Sequence, residues 1–353
     1  MGTVISLIVL SILIFFHELG HFIAARFFGV KVEVFSIGFG KRLFTKTIGD
    51  TQWSISAIPL GGYVRMKGQD DKDPTKVSYD TDSYTTKTPI QKIIILLAGP
   101  FANFLMAFLL YFAISQMGVP RLMPYIDEVT KDFPAYNAKL QKEDKILSVD
   151  NHAIKYWYQV GKLINDSTDD IIKLKIQRKN NILLKDIKPK LFTEKNIFGE
   201  KITRKIIGIT PMIKPTYEKF GFIDGLKYAY DETLNASMMI FKSVQQMISG
   251  AVGADKIGGI ISIVDITAKA SQNGILALFF FTALISVNLG VLNLLPIPAL
   301  DGGHIMFNLY ELISGKKAND KVMYYLTMIG WSLLLWLMLL GVYNDINRII
   351  IGG

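Results

Sequence analysis

The chain contains no cysteine, so neither a disulfide framework nor a thiolate metal site is available, and its redox compartment cannot be read from composition. It has only four histidines in 353 residues, so any zinc would have to be held by His and carboxylate. No basic residue precedes the first apolar run, and the run has no A-x-A-like exit. A retained helix is therefore expected rather than a cleaved signal peptide. Lys and Arg number 39 against 30 Asp and Glu, a net charge of +9, yet they are scattered and fall in no nucleic-acid-binding motif. Nucleic acid is not an expected partner.

What the chain has in quantity is apolar surface. Half of its residues are hydrophobic and the mean hydropathy is +0.31, yet 20% are charged. That mixture predicts a few membrane spans plus a sizeable polar domain. Four segments approach the ~20 apolar residues a helical span requires: roughly Val4–Phe28, Ile90–Met117, Ile275–Leu295 and Tyr324–Tyr343. Lys31, Lys41, Arg42, Lys46, Arg65, Lys67, Lys72, Lys76 and Lys87 lie between the first two, and Lys316, Lys317 and Lys321 between the last two. These loops are expected on the cytoplasmic side, with both termini and the long middle segment outside.

His17-Glu18-Leu19-Gly20-His21 sits inside the first apolar run. On a helix, histidines four apart share a face and can grip one zinc ion, while the glutamate between them can act as general base toward a water. Three such groups cost several kcal/mol in hydrocarbon unless a metal and a wet cavity compensate. His17 lies about 13 residues, or ~20 Å, into the helix, past the bilayer midpoint toward the cytoplasm. Asp301 falls just beyond the cytoplasmic end of the third span, in Asn293-Leu-Leu-Pro296-Ile-Pro298-Ala-Leu-Asp301-Gly302-Gly303, where two prolines break the helix. Charge alone therefore places Asp301 and the histidines on the same side. Blander readings stand beside these. Intramembrane histidines and Asn293 can bond a neighbouring helix, and Asp-Gly is ordinary turn chemistry.

These residues resemble the site-2 protease family of intramembrane zinc metalloproteases, in particular its bacterial regulator-of-sigma-E protease (RseP-like) branch. The resemblance spans nearly the whole chain. It covers H-E-x-x-H, Gly99-Pro100-x-x-Asn103, N-x-x-P-x-P-x-L-D-G, Ser36-Ile-Gly-Phe-Gly40 and Ile58-Pro-Leu-Gly-Gly-Tyr-Val-Arg-Met66. It implies that His17, His21 and Asp301 ligate Zn2+, that Glu18 is the catalytic base, and that Asn293 steadies the substrate backbone or an oxyanion. It further implies a multi-pass protein of the bacterial inner membrane, with its active site near the cytoplasmic side. The implied substrates are single-span membrane proteins already cut by a site-1-type protease, such as anti-sigma factors or remnant signal peptides. Asn103 reads as a helix-packing residue, and His152 and His304 as incidental.

The expected fold is thus a polytopic α-helical membrane protein with four transmembrane helices, a membrane-associated β-hairpin or sheet, and one extracytoplasmic PDZ-like α+β domain. Residues 1–117 would hold the first two spans, with a re-entrant β-region at about 31–66 built from alternating strands around Gly49-Asp50. Its edge could bind substrate as an added strand. Residues 67–88 read as a flexible polar connector. Residues 118–213 would form the PDZ-like domain, on the likeness of Asp132–Asn151 to permuted PDZ domains of bacterial proteases. The chain departs from that pattern at its glycines, having Lys139, Glu143 and His152. Residues 214–274 would be an interfacial amphipathic helix in contact with membrane lipid, plus a linker. Residues 275–353 would hold the last two spans. Two alternatives remain: a prenyl-processing type of zincin with Glu311 as a ligand, and a non-proteolytic scaffold or metal-binding protein presenting a PDZ-like domain.

Overall fold

The structure is a computed structural model and describes residues 2–69, 78–195 and 201–351. In chain order it runs α1 (Gly2–Phe27), β1 (Val32–Ile48), β2 (Thr51–Met66), α2 (Pro89–Met117), β3 (Val119–Leu122), β4 (Ile126–Val129), α3 (Pro134–Asn137), β5 (Lys145–Val149), β6 (His152–Ala153) and α4 (Trp157–Asp166). It continues with β7 (Ile172–Arg178), β8 (Asn181–Ile187), β9 (Lys190–Lys195), β10 (Lys201–Ile206), β11 (Ile209–Pro211), β12 (Pro215–Glu218), α5 (Phe222–Ile248), α6 (Ile260–Gln272), α7 (Ile275–Asn293), α8 (Asp301–Ser314) and α9 (Asp320–Ile351). Part of the expected polar connector, residues 70–77, lies outside the described residues. Two compact units emerge: residues 1–114 with 224–353, and residues 115–223.

In the first unit, α1, α2, α7 and α9 are long and apolar enough to cross a membrane. They coincide with the four expected spans, though α9 begins and ends several residues beyond Tyr324–Tyr343. The extra length at its C-terminal end carries polar residues that are used. Asp345, 1% exposed, accepts hydrogen bonds from the backbone N–H groups of Gly259 and Ser262, so α9 caps the start of α6. Helices α6 and α8 occupy stretches expected to be linker and turn. The first is amphipathic and packs on α1, where Ser6 Oγ donates to Val264 O at 2.9 Å.

The region at 31–66 is more than the expected hairpin. Phe35 pairs with both Val64 and Trp53, and Ile37 with both Gly62 and Ile55, while Thr45–Ile48 pair back onto Thr51–Ser54. The two long strands therefore fold into four runs, with 32–37 inside, 51–56 beside it, and 62–66 and 42–48 at the edges. The folding is driven by aromatic burial against α1. Phe35 stacks on Trp53 with centroids 4.4 Å apart, and Phe15 and Phe22 of α1 meet the same ring edge-on. That docking sets the sheet on the helix bearing His17, Glu18 and His21.

The second unit is a four-stranded sheet, in the order β6-β5-β7-β8, packed with α3, α4 and β4 around Ile126, Ile146, Ile172, Leu174 and Ile176. Strands pair β4 with β11, β3 with β12 and β9 with β10, all antiparallel. Lys139 and Glu143 adopt φ of 57° and 69°. They keep the left-handed backbone that the glycines of the related pattern would supply, at a cost of about 1 kcal/mol each. Next to them Asp144 is fully buried. It takes a two-pronged pair of hydrogen bonds from Arg178, both 2.8 Å, and a third from Gln141 N–H. The Arg178 guanidinium is held above its ordinary pKa by those hydrogen bonds. Asp144→Ala is expected to cost this unit about 2 kcal/mol. Faster amide exchange in β5 and β7, with exchange in α1 unchanged, is the measurement that checks it.

Candidate metal centre

Three elements bring the polar groups together. The 3.6-residue period puts His17 and His21 on one face of α1. Asp301 comes from the first turn of α8, which starts where Pro296 and Pro298 end the preceding apolar helix. Gly302 and Gly303 let this turn fold onto the broken segment, because a side chain at either would strike the carbonyls of Leu294, Leu295 or Ile297.

The result is a tight triangle. His17 Nε2 lies 3.2 Å from His21 Nε2, and each is 3.4 Å from Asp301 Oδ2. Two observations test whether a metal fits. Ligands at ~2.0–2.1 Å in a tetrahedral set are about 3.3 Å apart, and all three edges meet that value. Asp301 Oδ2 is also buried without a hydrogen bond, a costly state for a carboxylate oxygen unless a cation takes its lone pairs. His21 Nδ1 sits 2.8 Å from Ile95 O, which fixes its proton there and leaves Nε2 bare as a ligand. Among the described residues this is the one group of three or more His or acidic side chains able to hold an ion.

The triangle opens on a cavity of about 1050 Å³ whose walls include Glu18, Asn293 and the edge run 62–66. Glu18 is buried, with its Cγ against Gly62. The amide nitrogen of Asn293 stands 3.3 Å from His17 Nε2, at the rim of the triangle. Gly99 of α2 leaves room for the His21 ring, since a Cβ there would collide with it.

Other candidates fall elsewhere. Glu311 lies on α8 but pairs with the buried Lys92 at 3.6 Å, outside the ion-binding group, which removes the ligand needed by the prenyl-processing alternative. His152 is exposed in β6 of the other unit. His304, read as incidental, lines the cavity one turn after Asp301 without joining the triangle. Asn103, expected to pack α2 against its neighbours, is fully buried between helices, and its amide also lies 3.1 Å from His17 Nδ1. Its sequence signals were an amide in an apolar run and its place in Gly99-Pro100-x-x-Asn103.

The chain is similar to known metalloproteases. The family model described as peptidase family M50 matches residues 5–337. A Campylobacter jejuni protein named as a zinc metalloprotease is 46% identical, over 98% of this chain and 93% of its own. One from Helicobacter pylori J99, named likewise, is 39% identical over 98% and 99%. The regulator of sigma-W protease RasP of Bacillus subtilis is 26% identical over 99% of both. With the match spanning almost the entire chain, from the first histidine pair through the L-D-G turn, the protein belongs to peptidase family M50, the site-2 protease family.

Proposed function

We propose that this M50 peptidase is an intramembrane zinc endopeptidase that cuts the transmembrane segment of single-span proteins. One observation carries the reading. Two imidazoles and one carboxylate converge with tetrahedral spacing beside a buried glutamate, in a cavity bordered by an open strand edge.

His17, His21 and Asp301 would hold the zinc, whose chemistry when bound is Lewis acidity toward water and the scissile carbonyl. Glu18 takes the proton of the attacking water and passes it to the departing amine. Its burial against Gly62 keeps the carboxylate beside the strand edge where substrate would lie. Asn293 brings a neutral N–H donor to the rim of the triangle, suited to a developing oxyanion or a substrate carbonyl. A helix must unwind before it can be cut. The run 62–66 is paired along one side only among the described residues, so its other side can take the unwound segment as a further strand.

The basic loops support an orientation with the triangle toward the cytoplasm, and the family resemblance supports a bacterial inner membrane with the second unit, read as PDZ-like, outside the cytoplasm. Helix α5, with Phe222, Ile223, Leu234, Met238 and Phe241 exposed, suits an interfacial position against lipid. Substrates first shortened by another protease, of the anti-sigma-factor or remnant-signal-peptide kind, fit an active site reached through the bilayer.

Three outcomes test the proposal. Glu18→Gln should lower cleavage of a tagged single-span substrate by about 10³-fold while the purified protein keeps one zinc. Asp301→Ala should lose the zinc itself, by metal analysis after gel filtration, and retention through Glu311 would sink the ligand set. Gly99→Ala should displace the His21 ring and cut zinc occupancy, because its Cβ would collide with His21 Nε2.

A further inference from the structure

We propose that Asn103 of α2 is a positioning residue for the metal centre, holding His17 in the tautomer that can bind zinc. This inference rests on the zinc reading above.

The argument begins with the two ring nitrogens of His17. Nε2 faces the triangle, 3.2 Å from His21 Nε2 and 3.4 Å from Asp301 Oδ2. To serve as a ligand it must be bare, and a neutral imidazole then carries its proton on Nδ1. His21 solves the same problem with a backbone carbonyl, Ile95 O, 2.8 Å from its Nδ1. The group beside His17 Nδ1 is the Asn103 amide, at 3.1 Å.

Asn103 is fully buried and carries both a donor and an acceptor on one planar group. As placed, its nitrogen faces Nδ1 while its Oδ1 is buried with no hydrogen-bond partner. A half-turn of the amide brings that orphaned oxygen onto the Nδ1–H of the ligating tautomer. Which end of an amide faces a ring follows from the network around it, and the ligand role of Nε2 decides it here. The two histidines then have parallel supports: a main-chain carbonyl behind His21 and a side-chain carbonyl behind His17, both from α2. The pivot is firm because Asn103 O accepts Ser286 Oγ of α7 at 2.7 Å.

The test measures zinc affinity of purified full-length protein by competition with a chelator, and the visible spectrum after cobalt loading. Removing such a supporting acceptor typically costs 10–100-fold in metal affinity. Asn103→Leu and the smaller Asn103→Ser should both weaken zinc binding within that range. Asn103→Asp, which keeps an acceptor at the same reach, should restore affinity to within about threefold of wild type, and its cobalt spectrum should be unchanged. His17→Ala serves as the reference. If it keeps zinc at wild-type affinity, the metal site itself is wrong. If it loses zinc while the folded Ser or Leu variant binds like wild type, Asn103 is only a packing residue and this inference fails. The inference also fails if Asn103→Asp binds zinc no better than the Leu or Ser variant.

Discussion

Hydrocarbon rejects uncompensated polar groups, and the membrane unit is arranged round one place where that penalty must be met. Two imidazoles, two carboxylates and two amides lie together among apolar helices. Each would cost several kcal/mol alone in lipid. Together they share a cavity, a cation-sized gap and each other's hydrogen bonds. The surrounding structure follows from that demand: glycine at the α1–α2 contact so that the His21 ring fits, two prolines to end α7, and glycines after Asp301 so that the broken chain folds back. Each of these gives up helix stability locally to bring a ligand atom within reach of the other two.

The sheet answers a related problem. Strand edges are unsatisfied backbone, and apolar surroundings punish them. Here a single hairpin sequence doubles into four runs, which buries the central pair and leaves only two edges. One of them faces the cavity. An edge that would be a liability elsewhere is useful under the proposed function, in which the substrate arrives as a helix, since main-chain pairing offers compensation for the helical bonds such a substrate must break.

The second unit shows a different economy. Where related patterns use glycine, this chain places Lys139 and Glu143, yet the backbone still turns left-handed at both. The buried Asp144, held by Arg178 and by the Gln141 N–H, over-determines that turn and absorbs the local strain.

How much could be read beforehand depends on the range of the interaction. Spans, histidine spacing and the loop charges are local and periodic, so composition and pattern gave their positions to within a few residues; the C-terminal end of α9 ran longer, where Asn344 and Asp345 find partners in the loop before α6. The likeness of two short motifs pointed to Asp301 as the third ligand. The four-run sheet, the Lys92–Glu311 pair and the place of Asn103 behind His17 were not legible, because each joins residues far apart in the chain. Sequence by itself determined which residues could serve as ligands, and its loop charges gave an expectation of the side of the membrane they face. Only tertiary packing decided the 3.4 Å from each histidine to Asp301 that makes three side chains one site, since that distance arises from where helices meet, and no local pattern encodes such a meeting.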